Sequence, residues 1–274
     1  MNIRTDLAVE QLTAVSSLPD GAYYTEMILH GIPSSLVEIK QSDAAVRLHK
    51  PIGRYYTLSC PPFAHPSDNF EQQAEAVAEA LSDLLPPEGT VLVVGLGNSS
   101  ITPDALGPET IHLMLATRHI RGEQAMQAGL EGLRSAAAIA PGVLGQTGME
   151  SAEIIAALVH EIHPVAVIAI DALAAADISR LGCTVQICDS GISPGSGVSN
   201  RRRELSKNTL GIPVIAMGVP TVVDYHAQKD SPPLMVTPRE VDTIIENAAK
   251  TIAFGINRAL QPSLSMEDLL ALVN

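Results

Sequence analysis

Val91-Leu92-Val93-Val94-Gly95-Leu96-Gly97-Asn98-Ser99-Ser100-Ile101-Thr102-Pro103-Asp104-Ala105-Leu106-Gly107-Pro108 reads as a buried strand, a glycine turn and the start of a helix. The β-branched run Val91 to Val94 has the character of a strand covered on both faces. Gly95 and Gly97 permit a tight turn without Cβ clashes. Thr102 stands where an N-cap belongs, with Pro103 at the first helical residue, where a missing N–H costs least. Asp104 then falls in the first helical turn, where the positive end of the helix dipole favours its ionised form. Taken alone, the stretch describes a well-capped helix whose aspartate complements that dipole.

Outward from this stretch the chain alternates helix and strand. A helix is expected from about Asp68 to Leu85, stopped by Pro86-Pro87. After the Asp104 helix, Ser135 to Ile139 is a short apolar piece. Thr147-Gly148-Met149-Glu150 reads as a capping box for a helix with Ile155, Leu158, Val159 and Ile162 on one face, ended by Pro164. Val165 to Ile170 is a second buried strand, ending on Asp171. Thr184 to Ile187 and Val214 to Met217 are further strands, separated by a long loop, Asp189 to Asn200. A second capping box, Thr237-Pro238-Arg239-Glu240, is expected to open a helix bearing Val241, Ile244, Ile245, Ala248 and Ile252. This alternation implies an α/β fold of three layers, helices on both faces of a mostly parallel sheet. In such folds chemistry gathers at the carboxyl ends of strands, where Asp104 and Asp171 both fall.

The first 66 residues differ. Tyr23 to Leu29, Ser35 to Ile39, Ala44 to Leu48 and Arg54 to Leu58 read as short strands between Gly, Pro and Asp turns. Residues 1–66 are therefore expected to form a leader and a small, mainly β layer on an α/β core of residues 67–274, within one structural domain overall.

With 274 residues, 46% hydrophobic and 17% charged, the chain can bury a sizeable core. No apolar run approaches the roughly 20 residues of a membrane span, and the start, Met1-Asn2-Ile3-Arg4-Thr5-Asp6, is not a signal peptide, so a cytoplasmic location is expected. A formal charge of −13 argues against a nucleic-acid partner, which needs a basic face. Cys60, Cys183 and Cys188 lack a metal-binding spacing and read as small buried hydrophobes.

Several motifs carry weaker signals. Gly95-x-Gly97 lacks the third glycine of a dinucleotide loop, because Ser100 takes its place. Gly191-Ile192-Ser193-Pro194-Gly195 matches the letters of a nucleophile elbow, yet Pro194 has no N–H for an oxyanion hole. His160 and His163 sit at i and i+3, a spacing open to zinc but ordinary for a surface pair. Arg201, Arg202 and Arg203, with Lys207, concentrate positive charge that reads either as a solvated face or as a subsite for an acidic side chain. A carboxylate pair at neighbouring strand ends can share a proton, one acid activating water and the other polarising a carbonyl. Spacing alone does not choose Asp104 and Asp171 over Asp189 or Asp224.

The residues also resemble a known family. Gly95 to Asn98, Thr102 to Pro108, Ala140-Pro141-Gly142-Val143-Leu144-Gly145-Gln146-Thr147-Gly148-Met149-Glu150, Ile170 to Ala175, Gly191 to Gly197, Glu204 to Lys207, Thr209 to Val214 and Gly218 to Asp224 are similar to the germination proteases. These endopeptidases degrade small acid-soluble spore proteins. The similarity is dense over about residues 90–225 and thinner over Arg4 to Glu10 and Lys50 to Leu58.

That resemblance implies an α/β/α core related to the hydrogenase-maturation endopeptidases, a homotetramer in the spore core, no cofactor, and an atypical aspartic mechanism. It places the catalytic pair on Asp104 and Asp171, with Gly95, Gly97, Asn98 and Thr102 as structural support. In the maturation relatives the matching positions bind metal, which leaves a metal-dependent peptidase as one alternative. A non-catalytic homologue that binds spore proteins is another. The family trims its own N-terminus after an acidic residue, which maps onto the bond between Asp6 and Leu7. Arg4 to Glu10 looks like an internal copy of the substrate site, with only six residues ahead of that bond. Ser193 stands where relatives often carry histidine, and Ser99-Ser100 replaces bulkier residues, while the chain is shorter than is usual for the family.

Overall fold

The computed structural model describes residues 5–120, 125–126, 130–193, 203–225 and 234–273. The chain begins with α1 (Ala8–Thr13), the hairpin β1 (Ala22–Leu29) and β2 (Ile32–Ile39), then α2 (Ser42–Leu48) and β3 (Gly53–Ser59). It continues through α3 (Phe70–Ser82), β4 (Val91–Gly95), α4 (Leu106–His112), β5 (Ala136–Ile139), α5 (Leu144–Thr147), α6 (Ser151–Ile162) and β6 (Ala166–Ala175). The remaining elements are β7 (Thr184–Cys188), α7 (Lys207–Leu210), β8 (Val214–Tyr225), β9 (Leu234–Val236), α8 (Val241–Leu260) and α9 (Met266–Val273).

All the strands belong to one sheet in the order β1-β2-β3-β7-β8-β6-β4-β5, with β9 pairing β8. One half, β8-β6-β4-β5, is parallel, as the uninterrupted apolar runs require, whereas β7 pairs antiparallel with both β8 and β3, so the sheet as a whole is mixed rather than mostly parallel. Val91 to Val94 are each at most 1% exposed, and covering each such side chain is worth roughly 1.5–3 kcal/mol. On one face, α3, α4 and α8 pack through Val77, Leu81, Leu106, Ile245 and Ile252 against Val91, Val93, Ile168 and Ile170. On the other, α6 packs through Ala152 and Ile155 against Leu92, Val94, Val167 and Ala169. Farther along that face, α1 and α2 cover Val37, Tyr55 and Cys188 with Ala8, Ala44 and Leu48. The expected α/β/α layering therefore holds.

The N-terminal β segment is present, and it joins the central sheet edge to edge through β3 and β7, from Tyr55↔Cys188 to Ser59↔Thr184. It widens the sheet rather than stacking on it. Ala44 to Leu48, expected as a strand, lies within α2. Only Ala44 and Leu48 of that piece are buried, four apart on one helical face, while Val46 points to solvent.

Three expected helix starts differ. Thr102–Asp104 form a 3₁₀ turn, with Ile101 in the cap position and no side-chain cap, and α4 begins only at Leu106. Before α6 it is Glu150 that caps, with Glu153 reaching back to its N–H at 3.2 Å. Thr147 instead ends α5, which Gly148 terminates in the left-handed conformation at φ +71°. Ahead of α8 the Thr237 hydroxyl donates to the Thr221 carbonyl at 2.8 Å, so no capping box forms there.

Candidate active site

The turn after β4 is built by close backbone approach. A Cβ on Gly95 would collide with the carbonyl of Gly107, and one on Gly107 with that of Leu96. This contact seats α4 on the strand end. Gly97 adopts φ +115°, and a Cβ there would collide with the carbonyl of Asp104. The chain thus folds back on itself, and Asn98 donates its N–H to that same carbonyl at 3.0 Å. A built Gly97 Cβ would also lie 3.3 Å from Asp104 Oδ1, which places the carboxylate over the glycine turn. Asn98 Oδ1 accepts from Ser100 N–H at 3.0 Å and from Gln146 Nε2 at 2.9 Å, tying the turn to α5. The Thr221 hydroxyl of β8 donates to the Pro103 carbonyl at 2.7 Å. Thr102 is a turn residue, and it accepts through its carbonyl from Ala105 N–H at 3.0 Å.

Asp171 lies inside β6, not at its end, because the strand runs on to Ala175. It is nevertheless at a rim. β4 stops at Gly95, opposite Ile170, and the next N–H, that of Leu96, donates to the Ile170 carbonyl at 2.8 Å. Asp171 is thus the first residue of β6 to clear the end of β4, beside the point where the chain turns toward Asp104. The 3₁₀ turn that carries Asp104 packs against both β6 and β8. Asp171 is 6% exposed and accepts from Ala172 N–H at 3.0 Å, whereas Asp104 is half-buried. Opposite Asp171 in β8 stands Gly218, and a Cβ there would collide with the Asp171 carbonyl.

The N-terminal segment lies against the same part of the sheet. Asp6 N–H donates to the Ala174 carbonyl at 2.9 Å, and Asp6 Oδ2 accepts from Ala174 N–H at 2.8 Å. The Asp6 carbonyl accepts from both Lys50 Nζ and Gln186 Nε2 at 2.8 Å. Leu7 is fully buried, packed with Leu173, Ala175, Leu181 and Ile192. Glu10 is buried too and accepts from Ala176 N–H at 2.8 Å and Asp177 N–H at 3.0 Å, with Arg180 at 3.7 Å. Burial pulls the Lys50 ammonium below the usual lysine range, opposed by the Asp6 and Glu10 carboxylates nearby. Glu10 and Lys50 fall in the thinly similar segments Arg4 to Glu10 and Lys50 to Leu58, but no motif singles out either one, and Gln186 is a lone polar residue in a strand.

Arg203 is exposed, and Arg201 and Arg202 lie outside the described residues. Ser193 is half-buried, and Pro194 and Gly195 also fall outside. The His160 and His163 rings are 6.1 Å apart at the end of α6, remote in the fold from the rim of β4. All three cysteines are free thiols. No described helix is long and apolar enough to cross a membrane.

The family model described as germination protease matches residues 5–231 of the chain. A germination protease of Clostridium perfringens (strain 13 / Type A) is 39% identical over 325 aligned positions, covering 100% of this chain and 99% of that one. The alignment is longer than this chain, so the relative carries insertions that are missing here. A germination protease of Caldanaerobacter subterraneus subsp. tengcongensis is 38% identical, covering 98% of this chain and 97% of its own. Among solved structures, the [NiFe] hydrogenase maturation protease HycI from Thermococcus kodakarensis aligns at 17% identity with a TM-score of 0.35, over 64% of this chain and 96% of its own. The chain belongs to the germination protease family.

Proposed function

We propose that this peptidase is an endopeptidase of spore germination that cleaves small acid-soluble spore proteins after an acidic residue, with Asp104 and Asp171 as its catalytic pair. The observation that carries the assignment is the shared rim: one acid on the glycine turn after β4, the other on the first residue of β6 beyond β4. An ionised carboxylate takes a proton from water as the water oxygen adds to the peptide carbonyl. The second carboxyl, protonated, donates to the carbonyl oxygen; as the C–N bond breaks, the first gives the proton taken from water to the departing amine and the second takes back the hydroxyl proton. Carboxyls that share a proton titrate as a pair, so neither acid is assigned the base. The Arg201 to Arg203 cluster is proposed to hold the acidic side chain before the cut. The enzyme is proposed to act as a homotetramer in the spore core and to process itself between Asp6 and Leu7.

The test is cleavage of a spore-protein peptide by Asp104→Asn and Asp171→Asn. Each should lose at least a thousandfold in kcat while keeping the circular dichroism spectrum of the parent. Retained turnover in either variant sinks the pair. Mass spectrometry of the purified chain checks self-processing, with loss of residues 1–6 as the expected product.

A further inference from the structure

Asp171 is one member of a polar line that crosses the sheet from strand to strand. Asp171 pairs with Gly218, Gly218 with Gln186, Gln186 with Thr57, and Thr57 with Ser35. Side chains at paired positions share a face, so Asp171, Gln186, Thr57 and Ser35 all point to the side covered by α1, α2 and α6. All four are buried. Gln186 lies two strands from Asp171, about 10 Å at the usual spacing, with only a glycine between them. Thr57 Oγ1, 2% exposed, has no hydrogen-bond partner among the described residues.

A stretch of peptide already lies on this line. Gln186 Nε2 donates to the Asp6 carbonyl at 2.8 Å, and Gln186 Oε1 accepts from Ala8 N–H at 2.7 Å. One amide therefore grips the main chain on both sides of an extended residue, Leu7. Lys50 Nζ adds a donor to the Asp6 carbonyl at 2.8 Å and one to the Thr5 carbonyl at 3.3 Å. On the β6 side, Ala174 exchanges hydrogen bonds with the Asp6 main chain and carboxylate. Most of these contacts read backbone, which any extended peptide offers.

We propose that Gln186, assisted by Lys50, is a main-chain clamp of the substrate groove, and that residues 5–8 occupy it as a stand-in for an extended acidic peptide. The proposal rests on reading Asp171 as one of the catalytic pair. Gln186 and Lys50 are positioning residues: they hold the peptide on the line that leads to Asp171. Substrate enters when the N-terminal segment gives up Gln186, and the buried Thr57 hydroxyl supplies a further polar group on the same line.

The test uses the full chain carrying Asp171→Asn and a fluorescent heptapeptide, Arg-Thr-Asp-Leu-Ala-Val-Glu, followed by polarisation. In the chain that also carries Glu10→Gln, where the N-terminal segment no longer competes for the same amide, adding Gln186→Leu removes two hydrogen bonds to the peptide and should raise Kd about tenfold. Adding Glu10→Gln loosens the N-terminal segment and should lower Kd threefold or more. Opposite signs are the signature, since a purely structural Gln186 would move with Glu10. Kd shifts in the same direction, or a Gln186→Leu value within twofold of its parent, overturn the clamp. Saturating peptide should also speed amide exchange at residues 6–8 of the Asp171→Asn chain, which keeps its N-terminal segment uncut, and unchanged exchange likewise overturns it. In the active chain Gln186→Leu should raise KM with kcat kept within threefold; a fall in kcat at constant KM contradicts a positioning role. Turnover by Asp171→Asn would sink the catalytic pair instead, while the polarisation result would stand by itself.

Discussion

The Thr221 hydroxyl reaches the Pro103 carbonyl at 2.7 Å, joining the far half of β8 to the turn that carries Asp104. The bond links two segments 118 positions apart in sequence, and it is a side-chain tie between the turn and the sheet. Thr221→Val keeps the shape and deletes the donor. The expected cost in stability is about 1 kcal/mol, while kcat should fall about tenfold because the carboxylate loses its fixed position. Urea unfolding beside steady-state kinetics separates the two effects. A variant that loses stability but no kcat would mean the tie serves the fold alone.

Gly97→Ala tests the glycine turn. Its φ of +115° and the adjacent Asp104 carbonyl leave no space for a Cβ. Destabilisation of about 1–3 kcal/mol is expected, together with activity loss beyond what the remaining folded fraction explains. Ala at Gly145, whose surroundings are open and whose φ is not positive, serves as the tolerant control.

The basic cluster predicts a specificity change. Replacing Arg201, Arg202 and Arg203 by Gln together should reduce the preference for Glu over Gln before the cleaved bond by roughly three- to tenfold. Paired peptides differing only at that residue give the ratio directly. An unchanged ratio would remove the cluster from substrate recognition and shift attention to Lys50.

Alkaline stability should report the buried thiols. Burial pushes the Cys60 thiol up to about 12, from 9.0 when solvated. The fold thus retains a proton that the unfolded chain releases, so this contribution is complete below pH 9 and is lost as pH rises toward 12. The slope is about 1.4 kcal/mol per pH unit for one such group. Cys183 and Cys188 are also raised by burial and act in the same direction. Urea midpoints under reducing conditions at several alkaline pH values should fall steadily, and Cys60→Ala should flatten part of that fall.

The parallel half of the sheet was legible because runs such as Val91 to Val94 and Ala166 to Ile170 need apolar cover on both faces. Asp171 marked the end of the readable run, yet β6 continues, since its next residues, Ala172 to Ala175, pair with β8 beyond the reach of β4. Pro220 hid the length of β8 in the same way. It sits opposite Leu173, beside the register shift between Leu173 and Ala174, where an absent N–H is tolerated. Proposing Asp104 and Asp171 as the pair needed the family motifs, because an acid at a strand end is common. Gln186, Lys50 and Glu10 were illegible for another reason. Their roles arise from partners more than 40 positions distant, and no local pattern encodes such a meeting.

The placement of the N-terminal segment also has a consequence for biosynthesis. Ala8 meets Gln186 across 178 positions, and Asp6 meets Ala174 across 168. A nascent chain therefore has no bed for its first residues until most of the polypeptide has left the ribosome. Docking of this segment waits for β6 and β7 to be joined through β8, and an occupied Gln186 certifies that these three strands are already assembled.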